Sequence, residues 1–228
     1  MRYHSLNLNA AEVPFREASI QGIAPDKGLY FPVEIPRLPD SFWKNLREKP
    51  VNEIALELMR PFVGDSIPDP DLGRILEETL SFEFPLVELS EGVYSLELYH
   101  GPTLAFKDVG SRFMARCLGH FSKDSPAEIT VLVATSGDTG GAVADGFLGV
   151  PGVEVVILYP EGKVSDIQER QLTTLGQNIR ALRVSGSFDD CQRMVKRAFL
   201  DNDLKAARQL TSANSINVAR WIPQMLYY

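Results

Sequence analysis

The run ITVLVA at residues 129–134 is apolar at nearly every position. A strand buried on both faces of a parallel sheet has this continuous pattern, whereas a strand with one face in water alternates between apolar and polar residues. The glycine- and hydroxyl-rich run TSGDTGG follows directly at residues 135–141. The sequence therefore predicts a central strand that ends in a loop and opens into a helix.

Strands and helices alternate on both sides of this run. The connections between them are too long for hairpins, which favours parallel βαβ units. We predict an α/β fold with a parallel sheet between two helical layers, in which ligands lie at the carboxyl ends of the strands. The predicted strands are Val93–Tyr99, 129–134, 153–159 and 179–184, and the predicted helices are 108–121, 139–148, 165–175 and 188–200.

The first eighty or so residues have a different pattern. Glycines and prolines up to about residue 35 indicate turns and short strands, and apolar residues then recur at helical spacing. Asp40 or Ser41 could cap a first helix, Pro50 would split it, and Asp71 could cap another. We predict a mostly helical unit over residues 1–85 and a second region over 86–228, with a smaller α/β subdomain at about 125–212.

Composition limits the classes of function. The formal net charge of −7 argues against nonspecific binding to nucleic acid or to an anionic membrane, because both need basic surfaces. Cys117 and Cys191 are too few for a disulfide framework, and with three scattered histidines they give no metal-ligand spacing. No apolar run reaches membrane-spanning length. We expect a cytoplasmic protein without a metal site.

Lys107 is the first candidate for chemistry. It lies in the run HGPTLAFKD at residues 100–108, after an aromatic residue and before a predicted helix. A helix N-terminus and apolar neighbours both disfavour an ammonium ion, which leaves a neutral amine able to attack a carbonyl group. Most lysines near a helix start are solvated surface charges, so this run alone leaves both interpretations open.

The loop at residues 135–141 could bind an anion. Its glycines allow the backbone to approach a ligand closely, and Thr135, Ser136 and Thr139 supply hydroxyl groups. Clusters of this composition also occur simply as helix caps, so the residues alone do not decide between the two. The loop lacks the glycine spacing of a dinucleotide site and the Gly-Lys-Ser/Thr of a nucleotide-binding loop.

Two further candidates for anion binding follow predicted strands or precede predicted helices. Lys163 lies in the turn YPEGKVS at residues 159–165, although an exposed loop lysine is the more common outcome. Ser215 and Arg220 lie in the run SANSINVAR at residues 212–220, which we expect to begin a helix. They would lie about one turn apart on nearly the same face, where Arg220 could bind phosphate through two nitrogens.

Three of these motifs, at residues 100–108, 134–141 and 212–220, together resemble the threonine synthases. These are pyridoxal-phosphate (PLP) enzymes of fold type II, similar to the tryptophan synthase β subunit. The resemblance implies that Lys107 carries PLP and that Phe106 and Asp138 lie beside the cofactor. It also implies substrate contacts, with the α-carboxylate held by Thr135, Ser136, Gly137 and Thr139, and the substrate phosphate held by Thr139, Lys163, Ser215 and Arg220.

The implied reaction converts O-phospho-L-homoserine and water to L-threonine and phosphate, the last step of threonine biosynthesis, in a monomer or homodimer. Members of this family are about twice as long as this chain, and the loop that binds the phosphate of PLP lies in their second half. We therefore expect this chain to be truncated, with an incomplete cofactor pocket. Two alternatives stay open: another fold type II enzyme acting on a small amino acid, and a noncatalytic domain that binds a phosphorylated metabolite.

Overall fold

The N-terminal part combines a small antiparallel sheet with four helices. The computed structural model describes residues 1–123 and 127–228. The central strand of the small sheet is β1, with β2 and β3 antiparallel on either side. The elements in chain order are β1 Arg2–Ser5, β2 Val13–Pro14, α1 Phe15–Gln21, β3 Tyr30–Pro32, α2 Asp40–Lys44, α3 Val51–Val63 and α4 Asp69–Thr79.

Prolines, not acidic side chains, precede the helices of this part. Pro50 separates α2 from α3, as predicted. The predicted caps are wrong, because Pro39 precedes α2 and Pro68 precedes α4, and no side chain caps either helix. Proline fixes its own φ near the helical value, and the aspartates that follow lie inside the first turn, where they complement the helix dipole.

The second part contains a four-stranded parallel sheet in the order β8-β7-β6-β9. A two-stranded antiparallel sheet, β4-β5, precedes it in the chain. Its elements are β4 Leu86–Ser90, β5 Val93–Leu96, α5 Lys107–Ser122, β6 Ile129–Ala134, α6 Asp138–Phe147, β7 Val153–Pro160, α7 Asp166–Thr173, β8 Ile179–Val184, α8 Phe188–Leu200, α9 Asn202–Ala207, β9 Gln209–Ser212 and α10 Val218–Trp221.

Helices cover both faces of the parallel sheet. Alternate side chains of a strand point to opposite faces. In β6, Val131 and Val133 belong to the main core with residues of α5 and α6, whereas Leu132 packs in a second cluster with Cys191 and Val195 of α8. All six residues of β6 are buried. The three-layer α/β arrangement predicted from the apolar run is therefore confirmed.

One predicted strand belongs to another sheet. The strand expected at Val93–Tyr99 ends at Leu96 and pairs antiparallel with β4 across a two-residue turn. Gly92 in that turn has φ of 73°, a conformation that glycine adopts readily and that hairpin turns require. The expectation that connections are too long for hairpins is therefore wrong at this point.

The end of the chain also differs from the prediction. β9 and α9 were not predicted, because β9 has only four residues and two of them carry hydroxyl groups. The helix expected near Asn214 begins at Val218, so Ser215 lies in the turn before it. The division at residues 85/86 stays a prediction, and residue 125, the expected start of the subdomain, lies outside the described residues.

In the described ranges, no helix combines the length and the apolar character that a membrane crossing needs.

The side chain of Asn217 forms hydrogen bonds with three elements, α1, β9 and α10. Its side-chain oxygen accepts a hydrogen bond from the backbone N–H of Ala219 at 2.9 Å, which caps α10. Its side-chain nitrogen donates to the carbonyl of Ser19 in α1 at 2.8 Å and to that of Ser212 at the end of β9 at 3.2 Å. The residue is fully buried. One amide therefore joins the N-terminal part to the edge strand of the parallel sheet.

We expect Asn217→Ala to lower the free energy of unfolding by about 2–4 kcal/mol, because it leaves buried carbonyl and N–H groups without partners. Urea unfolding followed by circular dichroism would measure this. Asn202→Ala, at the exposed start of α9, is the matched control and should change stability by less than about 0.5 kcal/mol. Equal effects of the two substitutions would contradict the role of Asn217.

Candidate active site

The amine of Lys107 faces the carboxyl end of the central strand. Lys107 is the first residue of α5 and its side chain is 25% exposed. Its Nζ lies 3.6 Å from Oδ2 of Asp138, the first residue of α6, and 4.6 Å from the centre of the Phe106 ring. The structure thus brings together the three residues that the sequence analysis placed at a cofactor, and the amine remains reachable from solvent.

A buried carboxylate shapes the turn that precedes Lys107. Asp108 is 1% exposed and accepts hydrogen bonds from both the backbone N–H, at 2.9 Å, and the hydroxyl of Thr103. A side chain at Gly101 would collide with the same carboxylate, so this position needs glycine. Burial raises the pKa of the Asp108 carboxyl, and the hydrogen bonds from Thr103 oppose that rise.

Arg220 holds the main chain of Lys107. Its guanidinium donates to the Lys107 carbonyl at 3.1 Å, and the residue is 4% exposed. Burial lowers its pKa to about 10, and the negative charge of Asp108 opposes that shift. Its Nε is buried and has no hydrogen-bond partner among the described residues. One guanidinium nitrogen of Arg220 therefore donates to the backbone of Lys107, and Nε is left able to donate to a further partner.

The hydroxyl of Thr135 forms hydrogen bonds with backbone groups of the loop at residues 135–141. It accepts the backbone N–H of Gly137 at 3.0 Å and of Gly140 at 2.8 Å, and it donates to the Gly137 carbonyl at 3.1 Å. Gly137 has φ of 143°, which strains any other residue. Ser136 is exposed and Thr139 is half-buried. Thr135 thus shapes the loop, whereas Ser136 and Thr139 keep hydroxyls near its surface.

Gln168 is a site residue that the sequence analysis missed. Its side-chain nitrogen donates to Oδ1 of Asp138 at 2.7 Å. Its side-chain oxygen accepts from the backbone N–H and the hydroxyl of Ser165 at 3.2 and 3.0 Å, which forms a capping box at the start of α7. The spacing Ser165-x-x-Gln168 was the available signal, since it is typical of such boxes.

Two predicted site residues lie apart from this cluster. Lys163 is exposed in the turn after β7, and Ser215 is exposed in the turn before α10. Within the described ranges, no hydrogen bond or ion pair joins either residue to Lys107 or Arg220. Those ranges also contain no group of three histidine, cysteine, aspartate or glutamate residues that could hold a metal ion.

The structure also contains a cleft of about 730 Å³. Phe82, Phe84 and Tyr227 line it together with residues of α3 and α4, and none of the predicted site residues contributes to it. The site around Lys107 is therefore defined by its chemistry and not by the size of a cavity.

The residues around Lys107 fit a cofactor that bears an aldehyde. Such a cofactor needs an amine that it can reach, and Lys107 is only partly buried. It also needs polar groups that can contact its ring substituents, and Asp138 lies within 4 Å of the amine. Arg220, whose guanidinium contacts the Lys107 carbonyl, adds a buried cation with an unpartnered Nε.

Comparison with known proteins identifies the class. The sequence model described as "Pyridoxal-phosphate dependent enzyme" matches residues 82–223, which include the parallel sheet and the whole cluster around Lys107. The chain therefore belongs to the pyridoxal-phosphate-dependent enzymes. A second model, described as "Threonine synthase N terminus", matches residues 2–80.

Several relatives within that class are threonine synthases. The chain is 43% identical to threonine synthase of Escherichia coli and 42% identical to that of Serratia marcescens. Each comparison covers 100% of this chain and 53% of the relative. The crystal structure of PLP-bound threonine synthase from Brucella melitensis superposes with a TM-score of 0.93 at 40% identity, over 100% of this chain and 50% of that one. The chain thus spans about half the length of these relatives.

The pKa of Asp108 gives stability a definite pH dependence. A carboxyl whose pKa is raised in the folded chain binds its proton more tightly there than in the unfolded chain. Its contribution to stability is therefore present below the unfolded-state pKa and is lost as the pH rises from that value to the folded-state pKa. In Asp108→Asn this loss is absent. We expect the free energy of unfolding of the variant, minus that of the native chain, to increase as the pH rises above about 4, the ordinary pKa of an aspartate carboxyl.

Urea unfolding at several pH values would measure this difference. Asp190→Asn is the control of opposite sign, because hydrogen bonds from Ser187 hold the pKa of Asp190 at about 2. That variant should lose stability relative to the native chain as the pH rises from about 2 to about 4, the interval between the folded and the ordinary pKa of Asp190. A difference for Asp108→Asn that stays constant or falls with pH would contradict the account.

Proposed function

We propose that this chain carries the cofactor lysine and the substrate loops of a threonine synthase. The reaction would convert O-phospho-L-homoserine and water to L-threonine and phosphate, with pyridoxal phosphate as cofactor. The observation that carries the proposal is the position of the Lys107 amine, 3.6 Å from Asp138 at the carboxyl end of β6. Relatives named threonine synthase share 42–43% of the sequence, which supports the choice within the class.

Lys107 has two roles in this proposal. Its amine would hold the cofactor through the aldehyde group, and as a free amine it would move protons at the α and β carbons of the substrate. The cofactor, when bound, stores the electrons released at these carbons. Asp138 keeps the amine oriented, and Arg220 fixes the backbone from which the amine projects.

The loop after β6 would bind the substrate carboxylate. Ser136 and Thr139 are at least partly exposed and can supply hydroxyl donors. Thr135 is 1% exposed and its hydroxyl is engaged within the loop, so its contribution is to hold the backbone at Gly137 in place. The sequence-based role of Thr135 as a direct contact stays a prediction, and the structure favours an indirect role.

The phosphate group of the substrate would be held by Thr139, Lys163, Ser215 and Arg220. Lys163 and Ser215 are exposed, which leaves both side chains available to a ligand. Arg220 holds the Lys107 carbonyl with one nitrogen, and its unpartnered Nε could serve an anion. A phosphate site built this way would distinguish phosphohomoserine from unphosphorylated amino acids.

The proposal extends to the setting of the protein. Both cysteines are buried and free, which supports a reducing, cytoplasmic location. We further propose a monomer or homodimer with a small-molecule substrate, without nucleic acid or membrane as partner, since the net charge is −7. Residues 1–85 would form the N-terminal unit and residues 86–228 the catalytic region.

The test joins this chain to the remainder of the E. coli relative, of which it spans 53%. We expect the chimera to form threonine and release phosphate from O-phosphohomoserine. Lys107→Ala should lower the rate by at least about 10³-fold, because the amine both binds the cofactor and moves protons. Lys196→Ala, on the exposed side of α8, is the matched control and should leave the rate unchanged.

The choice of substrate separates the alternatives. Turnover of homoserine, serine or threonine in preference to phosphohomoserine would indicate another enzyme of the same fold. A chimera that binds phosphohomoserine but turns over none of these compounds would indicate a noncatalytic binding domain. A Lys107→Ala chimera that remains active would overturn the assignment of the lysine.

A further inference from the structure

We propose that Gln168 positions Asp138 against the amine of Lys107. This inference rests on the proposed function, because it assigns a positioning residue to the lysine that would carry the cofactor. Gln168 donates from its side-chain nitrogen to Oδ1 of Asp138 at 2.7 Å, and the other oxygen of the same carboxylate, Oδ2, lies 3.6 Å from Nζ of Lys107.

The direction of the Gln168 amide is fixed at its other end. Its side-chain oxygen accepts both the backbone N–H and the hydroxyl of Ser165, at 3.2 and 3.0 Å. An amide whose oxygen is held in this way must present its NH₂ group to Asp138. A donor in that place suits an ionised carboxylate, which only accepts hydrogen bonds. Gln168 therefore holds Oδ1 and leaves Oδ2 for the ammonium group of Lys107.

The helix that carries Gln168 is itself anchored to the sheet. Glu169, the next residue, accepts hydrogen bonds from the hydroxyl of Tyr159 at 2.9 Å and from the guanidinium of Arg183 at 2.6 Å. Leu172, one turn further along α7, is buried in the main core. Because α7 is fixed in this way to β7 and β8, Gln168 projects from a rigid support.

The loop is shaped to accept this side chain. A Cβ atom at Gly137 would collide with the amide group of Gln168, so the absence of a side chain there is what lets the amide lie beside the start of α6. The start of α7 therefore packs directly against the turn at Gly137, the residue before Asp138. The loop after β6 and helix α7 are therefore in close contact beside Asp138, the residue that faces Lys107.

Asp138 needs such support because it is otherwise free to turn into water. Its side chain is 57% exposed, and exposed ion pairs at this distance are weak, since solvent screens them and holding two flexible side chains costs entropy. The hydrogen bond from Gln168, a fixed donor, removes that freedom from the carboxylate. The ion pair with Lys107 then depends on Gln168, although Gln168 does not touch the amine.

The experiment measures how fast acetic anhydride acetylates Lys107 at about pH 8, where the ordinary lysine amine is mostly protonated. Mass spectrometry of peptides gives its rate relative to Lys196, an exposed lysine of the same molecule. Gln168→Met keeps the size of the side chain and removes its donor. We expect it to raise the relative rate about two- to fivefold, because the amine of Lys107 loses the carboxylate that holds it.

Asp138→Asn should raise the relative rate by a similar factor, and the double variant should match Asp138→Asn alone, since Gln168 acts only through Asp138. Ser165→Ala is the control for helix capping. It removes the capping hydroxyl but keeps the backbone N–H that orients Gln168, so the rate should stay at the native value. Circular dichroism would verify that each variant is folded, and Gln168→Leu would replace Gln168→Met if that variant does not fold.

A native rate in Gln168→Met, together with a raised rate in Asp138→Asn, would overturn the proposal. So would effects that add in the double variant, because Gln168 would then act on Lys107 by another route. No cofactor enters this assay. Its outcome is therefore measured separately from that of the turnover test, so a failure of this proposal can be distinguished from a failure of the proposed function.

Discussion

The site depends on one hydrogen bond between residues far apart in the chain, from the guanidinium of Arg220 to the carbonyl of Lys107, 113 positions away. It joins the start of α5 to α10, which follows the edge strand of the parallel sheet. The guanidinium is buried, at a cost visible in its lowered pKa. A buried cation is tolerated where hydrogen bonds and a nearby carboxylate, here Asp108, offset the loss of water. The backbone that presents the lysine is thus set by tertiary structure.

Around that bond, three helix starts meet at the end of β6. Lys107 begins α5, Asp138 begins α6, and Gln168 lies in the first turn of α7. The sheet makes this possible because β6 is buried on both faces and its parallel neighbours all end at the same edge. The packing of the sheet and of these helix starts places the amine of Lys107 within ion-pair distance, and the amide of Gln168 within hydrogen-bonding distance, of the Asp138 carboxylate.

The sequence predicted the parts of the fold that are set by a regular apolar pattern, either a continuous run or a helical period. β6 and β8 have the predicted bounds, and α8 begins and ends at the predicted residues, because a strand or amphipathic helix in the core imposes its period on the sequence. It did not predict the β4-β5 hairpin or the short strand β9, since their residues are exposed or polar and tertiary pairing decides their structure. The candidate site followed the same rule: the sequence indicated Lys107, Asp138 and Arg220, but the bonds that orient them lie between distant segments and leave no periodic signal.

The most direct measurement of the central claim is the position of a borohydride-reducible cofactor adduct. The 228-residue chain, and the chimera with the remainder of the E. coli relative, would each be incubated with pyridoxal phosphate, reduced and digested, and the labelled peptide would be identified by mass spectrometry. The account predicts a label on Lys107 in the chimera, and a label there in the chain alone would show that this half forms a usable pocket. Absence of label at Lys107 from both, or a label confined to another lysine such as Lys163, would contradict it.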